Sequence, residues 1–277
     1  MRQVDRSTVG IPKCLDQDLT NDINLVIKNK KLNQNIYRNY EVVEKLKILY
    51  LNKCYLCEAD VKDSFEIEHF LPWSINNPER AYDWSNLHLS CKRCNQAKRN
   101  KKYKEKDGEI VTKTILIDPS NPPFCCTVEQ LIKFNKYCEA TSAGKEAEKN
   151  EVKNTISFIN SQTLKNLRQR CWSDITQILL EYDCINDWRD IVKEPPPIEL
   201  KKWESNPVKF SRMLKVLDNA DIIYSNYLIE SAPFYTCIKY VIFENLRLSV
   251  KDFQRMSNAF RDYKGMPYLH PTASLYH

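Results

Sequence analysis

Two Cys-x-x-Cys pairs, Cys54 with Cys57 and Cys91 with Cys94, constrain this chain more than any other feature of its sequence. Each short loop offers two thiolates, and two such loops complete the tetrahedron that Zn²⁺ prefers. The pairs therefore predict a segment that closes on itself around a structural zinc. Between them stands an isolated Glu68-His69, while Asn86, His88, Asn95 and Lys98 crowd around the second pair. The chain has only 4 histidines, and this one stretch holds two of them.

Composition decides what surrounds that staple. A chain of 277 residues with 28% charged and 42% hydrophobic side chains can bury one large core or two modest ones, which excludes wholesale disorder. Only 4 glycines against 15 tyrosines and 10 phenylalanines leave few of the tight turns that a many-stranded sheet needs, so helix should dominate. The polar stretch Met1 to Gly10 lacks a signal-peptide core, and no apolar run is long enough to span a membrane. A secreted disulfide scaffold and a membrane protein are thereby disfavoured, and a cytoplasmic location is expected. Cys14, Cys125, Cys126, Cys138, Cys171, Cys184 and Cys237 then read as buried free thiols.

The net charge of +6 is a mild excess, but it is concentrated. Lys92, Arg93, Lys98, Arg99, Lys101, Lys102, Lys104 and Lys106 follow one another with little acidic relief. Such a run is commonly a solvated helix face; directly after a metal site it reads better as a contact to phosphate.

The apolar spacing over Tyr40 to Asn52 predicts a helix that leads into the first cysteine pair, after a short helix within Ile23 to Asn39. Ser64 to Leu71 and Leu87 to Ser90 read as strands, and Cys91 to Lys102 as a helix. Beyond the break at Asp118-Pro119-Ser120-Asn121-Pro122-Pro123, helices are expected from Val128 to Phe134, from Ala147 to Leu180 with a joint near Asn160, and over Pro207 to Leu217, Phe234 to Leu246 and Val250 to Asp262. The expected class is α+β, mostly α, with a small zinc-stapled core in a helical protein. Three regions follow: an N-terminal segment at 1–39, the zinc-stapled core at 40–110 and a helical region at 111–277, the last suited to docking a partner or substrate.

Hydrolysis of a phosphodiester needs an activated water and neutralisation of charge on the phosphate and the leaving oxygen. A neutral imidazole can take the proton, and a hard cation held by oxygen ligands can supply the charge. His69 is the candidate base, Glu68 offers a carboxylate, Asn95 offers a carbonyl oxygen, and Lys98 lies one helical turn beyond Asn95, where it could meet phosphate. His88 reads as packing or as support for the site, Trp73 and Trp84 as packing of the small core, and Glu66 as an exposed carboxylate. Tyr235, Tyr240 and Phe243 read as bundle core or as a docking surface.

The order Cys-x-x-Cys, Ile67-Glu68-His69-Phe70, Asn86-Leu87 and Cys91-x-x-Cys94-Asn95-x-x-Lys98 resembles the HNH endonucleases and their ββα-metal fold. Glu68-His69-Phe70-Leu71-Pro72, Tyr82-Asp83-Trp84-x-Asn86-Leu87 and Ser90-Cys91-Lys92-x-Cys94-Asn95 look more specifically like the HNH subunit of Septu anti-phage defence, the PtuB type, to which a retron-associated effector is similar. Leu116-Ile117-Asp118-Pro119, Thr155-Ile156-x-x-Ile159-Asn160 and Leu167-Arg168 extend the likeness more weakly. The resemblance implies that His69 is the general base, that Glu68 and Asn95 ligate a catalytic Mg²⁺ or Mn²⁺, and that Asn86 pins the loop carrying His69. It implies that Cys54, Cys57, Cys91 and Cys94 hold a separate, structural Zn²⁺. Many HNH enzymes have histidine where this chain has Asn95, and the harder amide oxygen favours Mg²⁺ over a soft metal.

The same resemblance implies a nucleic-acid substrate, a PtuA-like ABC/SMC-type ATPase as partner and, in retron systems, a reverse transcriptase with its RNA–DNA. DNA is the favoured substrate and tRNA the alternative, since the basic run suits either polyanion. A non-catalytic zinc module that binds nucleic acid or protein is the third reading. It needs only the cysteines and leaves Glu68, His69, Asn86 and Asn95 without a role.

Overall fold

The computed structural model describes residues 1–73, 77–106, 109–112, 116–180, 188, 191–193, 198 and 200–269, with backbone alone at 99–106, 109–112, 148, 180, 201 and 202. The fold is α+β and mostly helical, with small sheets. The chain divides into two compact units, one of Met1–Lys133 with Thr141–Ile159, the other of Phe134–Ala140 with Asn160–His277. No helix among the described residues is long and apolar enough to cross a membrane.

In the first unit, α1 (Thr20–Asn29) and α2 (Gln34–Tyr37) precede α3 (Tyr40–Tyr50). Asn39 caps α3 by accepting from the Glu41 N–H, and Leu51 ends it in the left-handed region at φ 51°. Val42, Leu46, Leu49 and Tyr50 are buried, the helical spacing that the sequence shows. Strands β1 (Glu66–His69) and β2 (Leu87–Ser90) pair antiparallel, with Glu68 opposite His88 and His69 opposite Leu87. Helix α4 (Lys92–Lys102) follows β2 and lies against β1 through Lys98 and Glu68. A second hairpin, β3 (Tyr103–Lys106) with β4 (Glu109–Thr112), pairs Tyr103 with Thr112 and is not among the elements expected from the sequence.

The N-terminal residues are part of this unit. The Arg6 guanidinium donates to the carbonyls of Trp84 and Leu87 at 2.7 and 2.8 Å, and Arg2 donates to the Leu49 carbonyl at 2.8 Å. The Val4 N–H donates to the Pro119 carbonyl at 3.0 Å. Trp84 is buried beneath the Arg6 guanidinium, and Trp73 packs on the cluster of Leu19, Val26, Ala81 and Tyr82.

The expected helix from Val128 to Phe134 is corrected. Helix α5 (Val128–Leu131) starts at a Thr127–Gln130 capping box, and the chain continues as β5 (Ile132–Phe134), whose buried–exposed–buried order suits a strand. Strand β6 (Ala140–Ser142) and α6 (Asn150–Ile159) follow.

In the second unit, α7 (Gln162–Leu180) opens after Asn160, whose side chain bonds both the N–H and the carbonyl of Ala140 at 2.7 Å. The buried face of α7 includes Leu164, Ile175 and Leu179, and also Arg168, which donates to the Cys138 carbonyl at 2.9 Å. Helices α8 (Pro207–Ile223), α9 (Tyr235–Leu246) and α10 (Val250–Lys264) complete the unit. Asp221 on α8 accepts from Ser257 and Arg261 on α10, a buried charge paired on both oxygens. All described cysteines are free of disulfides. Outside the quartet only Cys138 and Cys237 among them are buried, whereas Cys125 is exposed and Cys14, Cys126 and Cys171 are half-buried. Cys184 lies outside the described residues.

Candidate active site and zinc centre

The four cysteines of the two pairs converge, with all four sulfurs within 4.8 Å of one another. Sulfurs about 2.3 Å from a tetrahedral zinc stand about 3.8 Å apart. The Cys57 and Cys91 sulfurs are 3.8 Å apart, so the donor set and its spacing fit zinc. The first loop is a tight knuckle: the Cys54 N–H donates to the Ala59 carbonyl, the Glu58 N–H to the Cys54 carbonyl, and Glu58 takes a φ of 62°. In the second, the Cys94 N–H donates to the Cys91 sulfur at 3.4 Å, the contact that stabilises a thiolate. As thiols the four compete for protons. Donation led by Cys54 pulls Cys91 far below the ordinary thiol range, while the contact with Cys54 and its neighbours pushes Cys94 far above it. A bound zinc would take all four as thiolates and remove that conflict.

The knuckle is joined to the sheet by the Tyr55 N–H, which donates to the Leu89 carbonyl at 2.9 Å. Inside the same loop the Tyr55 hydroxyl donates to Glu68 Oε2 at 2.7 Å. Burial, and then the charge of Glu68, push the Tyr55 phenol well above its ordinary value, so it remains a donor. Lys98 Nζ donates to Glu68 Oε1 at 2.5 Å, to the Phe70 carbonyl at 2.9 Å and to the His69 carbonyl at 3.3 Å. Glu68 is 5% exposed and Lys98 2% exposed. The structure thus turns Lys98 inward, onto Glu68. Of the remaining basic run, Lys92 and Arg93 are exposed, and the side chains from Arg99 to Lys106 lie outside the described residues.

His69 ends β1. Its Nε2 lies 2.8 Å from the Ala81 carbonyl oxygen. A carbonyl only accepts, so the ring proton is on Nε2 and Nδ1 is the basic nitrogen. The Tyr37 ring sits 5.5 Å from the imidazole, centroid to centroid. Asn86 is 2% exposed and ties Leu71 to Arg80 in the stretch that follows His69. Its Oδ1 accepts from the Leu71 N–H at 2.7 Å, and its Nδ2 donates to the carbonyls of Leu71 and Arg80 at 2.9 and 3.0 Å. By fixing Arg80 it fixes Ala81, and so the carbonyl that sets the tautomer of His69.

Asn95 lies on α4 one turn before Lys98, 8% exposed, and its side-chain amide has no hydrogen-bond partner among the described residues. A buried amide of that kind can give its oxygen to a cation. Glu68 and Asn95 would offer a carboxylate and an amide oxygen, the donor types that a hard divalent ion takes.

His88, opposite Glu68 in the sheet, is fully buried. Arg6 lies 3.3 Å from its Nε2 and can only donate, which places the ring proton on Nδ1, 2.7 Å from the Tyr50 hydroxyl. Tyr50, Tyr55 and Phe70 surround the ring. It is therefore an interior, hydrogen-bonded group. Glu66, by contrast, faces outward and pairs with Arg38 at 2.8 Å.

Sequence reasoning misses Tyr55, Arg6 and the Ala81 carbonyl. Tyr55 carries a signal, a hydroxyl fixed between two metal ligands. Arg6 and the backbone of Ala81 carry none.

No curated protein matches the chain. Residues 54–101 match the family model described as HNH endonuclease, and this segment, with its paired strands, following helix and cysteine quartet, is similar to that family's domain.

Proposed function

We propose that the chain is a metal-dependent endonuclease that hydrolyses nucleic-acid phosphodiester bonds, with DNA as its substrate. The observation that carries this reading is the tautomer of His69, with Nε2–H on the Ala81 carbonyl and Nδ1 as the basic nitrogen, at the end of the strand that carries buried Glu68. A zinc scaffold needs no such arrangement. In the reaction a water oxygen attacks phosphorus while Nδ1 of His69 takes the water's proton, and the bond from phosphorus to the leaving oxygen breaks. When bound at Glu68 and Asn95, Mg²⁺ or Mn²⁺ supplies positive charge to the phosphate and the leaving oxygen. Asn86 keeps the base aimed through Ala81, and the burial of Glu68 excludes water from its carboxylate.

Motif likeness to the PtuB type supports a place in anti-phage defence as the effector of a PtuA-like ABC/SMC-type ATPase, with a reverse transcriptase added in a retron setting. The region 111–277 would then dock the partner or the substrate. Incubating the purified chain, alone and with the product of any adjacent ATPase gene, with labelled duplex DNA and total tRNA in Mg²⁺ tests both levels. Cleavage of DNA that stops on chelation is expected. Cleavage confined to tRNA would move the substrate to RNA, and intact polymers in all arms would reject the nuclease reading. An ATPase that neither co-purifies nor alters cutting would remove the partner.

A further inference from the structure

Each cysteine pair delivers something besides its thiolates. Tyr55 stands between Cys54 and Cys57, and its hydroxyl donates to Oε2 of Glu68 at 2.7 Å. Lys98 stands one helical turn beyond Cys94, and its ammonium donates to Oε1 of the same carboxylate at 2.5 Å. The ammonium also reaches the carbonyls of Phe70 at 2.9 Å and His69 at 3.3 Å, beneath the Phe70 ring at 4.6 Å from its centroid. Tyr55 and Lys98 are each 2% exposed, and neither is needed to ligate zinc.

A buried ion pair is tolerated when its remaining hydrogen-bonding capacity is satisfied. Here both carboxylate oxygens accept, which fixes Glu68 as an anion in one orientation, and the ammonium finds three oxygen acceptors. A lysine placed for a substrate phosphate would present its charge to solvent; this one turns its charge onto the strand that carries the base.

We infer that Tyr55 and Lys98 are positioning residues that clamp Glu68, with the two arms held in register by the zinc that joins their cysteine pairs. The inference rests on the reading of Glu68 as a ligand of the hard divalent ion. It gives the zinc a second role, because besides stapling the fold the ion sets the direction in which Glu68 presents its oxygens. Groups that orient a metal-binding carboxylate in this way typically change metal affinity or activity by about 10–100-fold when removed.

The test uses the full-length, zinc-loaded protein. Mn²⁺ affinity is measured without nucleic acid, from the electron paramagnetic resonance signal of free Mn²⁺, together with zinc content, kcat and KM. Tyr55→Phe keeps the ring and is expected to retain zinc, weaken Mn²⁺ binding about tenfold and lower kcat with KM unchanged. Lys98→Met is expected to act in the same direction; should it fail to fold, Tyr55→Phe decides alone. Glu68→Gln distinguishes the clamp from the ligand it holds. Loss of Mn²⁺ binding in Glu68→Gln, with wild-type affinity in Tyr55→Phe, would overturn the clamp and leave the active site standing. Undiminished Mn²⁺ binding in Glu68→Gln would remove the ligand role of Glu68 and the clamp with it.

Discussion

Replacing His69 by alanine is expected to lower the rate of phosphodiester cleavage by about 10²–10⁴-fold, the usual contribution of a positioned general base. The loss should fall on kcat, because the imidazole takes a proton only as the reaction proceeds, while KM for nucleic acid stays near its wild-type value. Stability should change little. His69 is half-buried, and a hydrogen bond such as the one from its ring to the Ala81 carbonyl contributes only about 1 kcal/mol. Single-turnover cleavage of a labelled substrate, with urea unfolding of the same preparations, checks both halves. A His69→Ala protein that cuts at the wild-type rate would remove the base from the mechanism.

Replacing Cys94 by serine, or stripping the zinc, is expected to abolish cooperative folding of the first unit. Cys94 is 1% exposed and lies among three other sulfurs, with both cysteine loops closed onto it. Structural zinc contributes roughly 10–16 kcal/mol in small zinc-folded peptides. Whole domains are stable by only about 5–15 kcal/mol, so the loss is comparable to the entire stability of such a unit. The second unit has its own core, including Ile175, Met213, Ile238 and Phe253, and its helices should survive. Hydrogen exchange followed by mass spectrometry separates these outcomes. Protection should collapse over β1, β2 and α4 and persist over α8 to α10.

How far the sequence discloses this arrangement depends on the reach of each interaction. The cysteine quartet is legible because metal ligands obey short, fixed spacings, and β2 and α4 are legible from the residues between and after those ligands. Helix α3 shows its burial through Val42, Leu46 and Leu49. The β3–β4 hairpin escapes, although Asp107-Gly108 between Lys106 and Glu109 is a strong two-residue hairpin signal. The lysine-rich stretch before it announces charge instead.

The finer contacts of the site are less legible. Lys98 reads as a surface cation from its neighbours in sequence; its burial follows from Glu68, 30 residues earlier, which draws the ammonium inward. Arg6 reaches the Leu87 carbonyl across 81 residues of chain, a contact no local pattern announces. The tautomer of His69 depends on a backbone carbonyl, which any residue at position 81 could provide.

Anomalous X-ray scattering from crystals of the full chain grown with zinc and soaked in Mn²⁺ tests most directly the claim that two metal ions do two different jobs. A zinc peak enclosed by Cys54, Cys57, Cys91 and Cys94 is expected, with a separate manganese peak against Glu68 and Asn95, beside Nδ1 of His69. Manganese absent from Glu68 and Asn95, or taken up by the four cysteines, would contradict it.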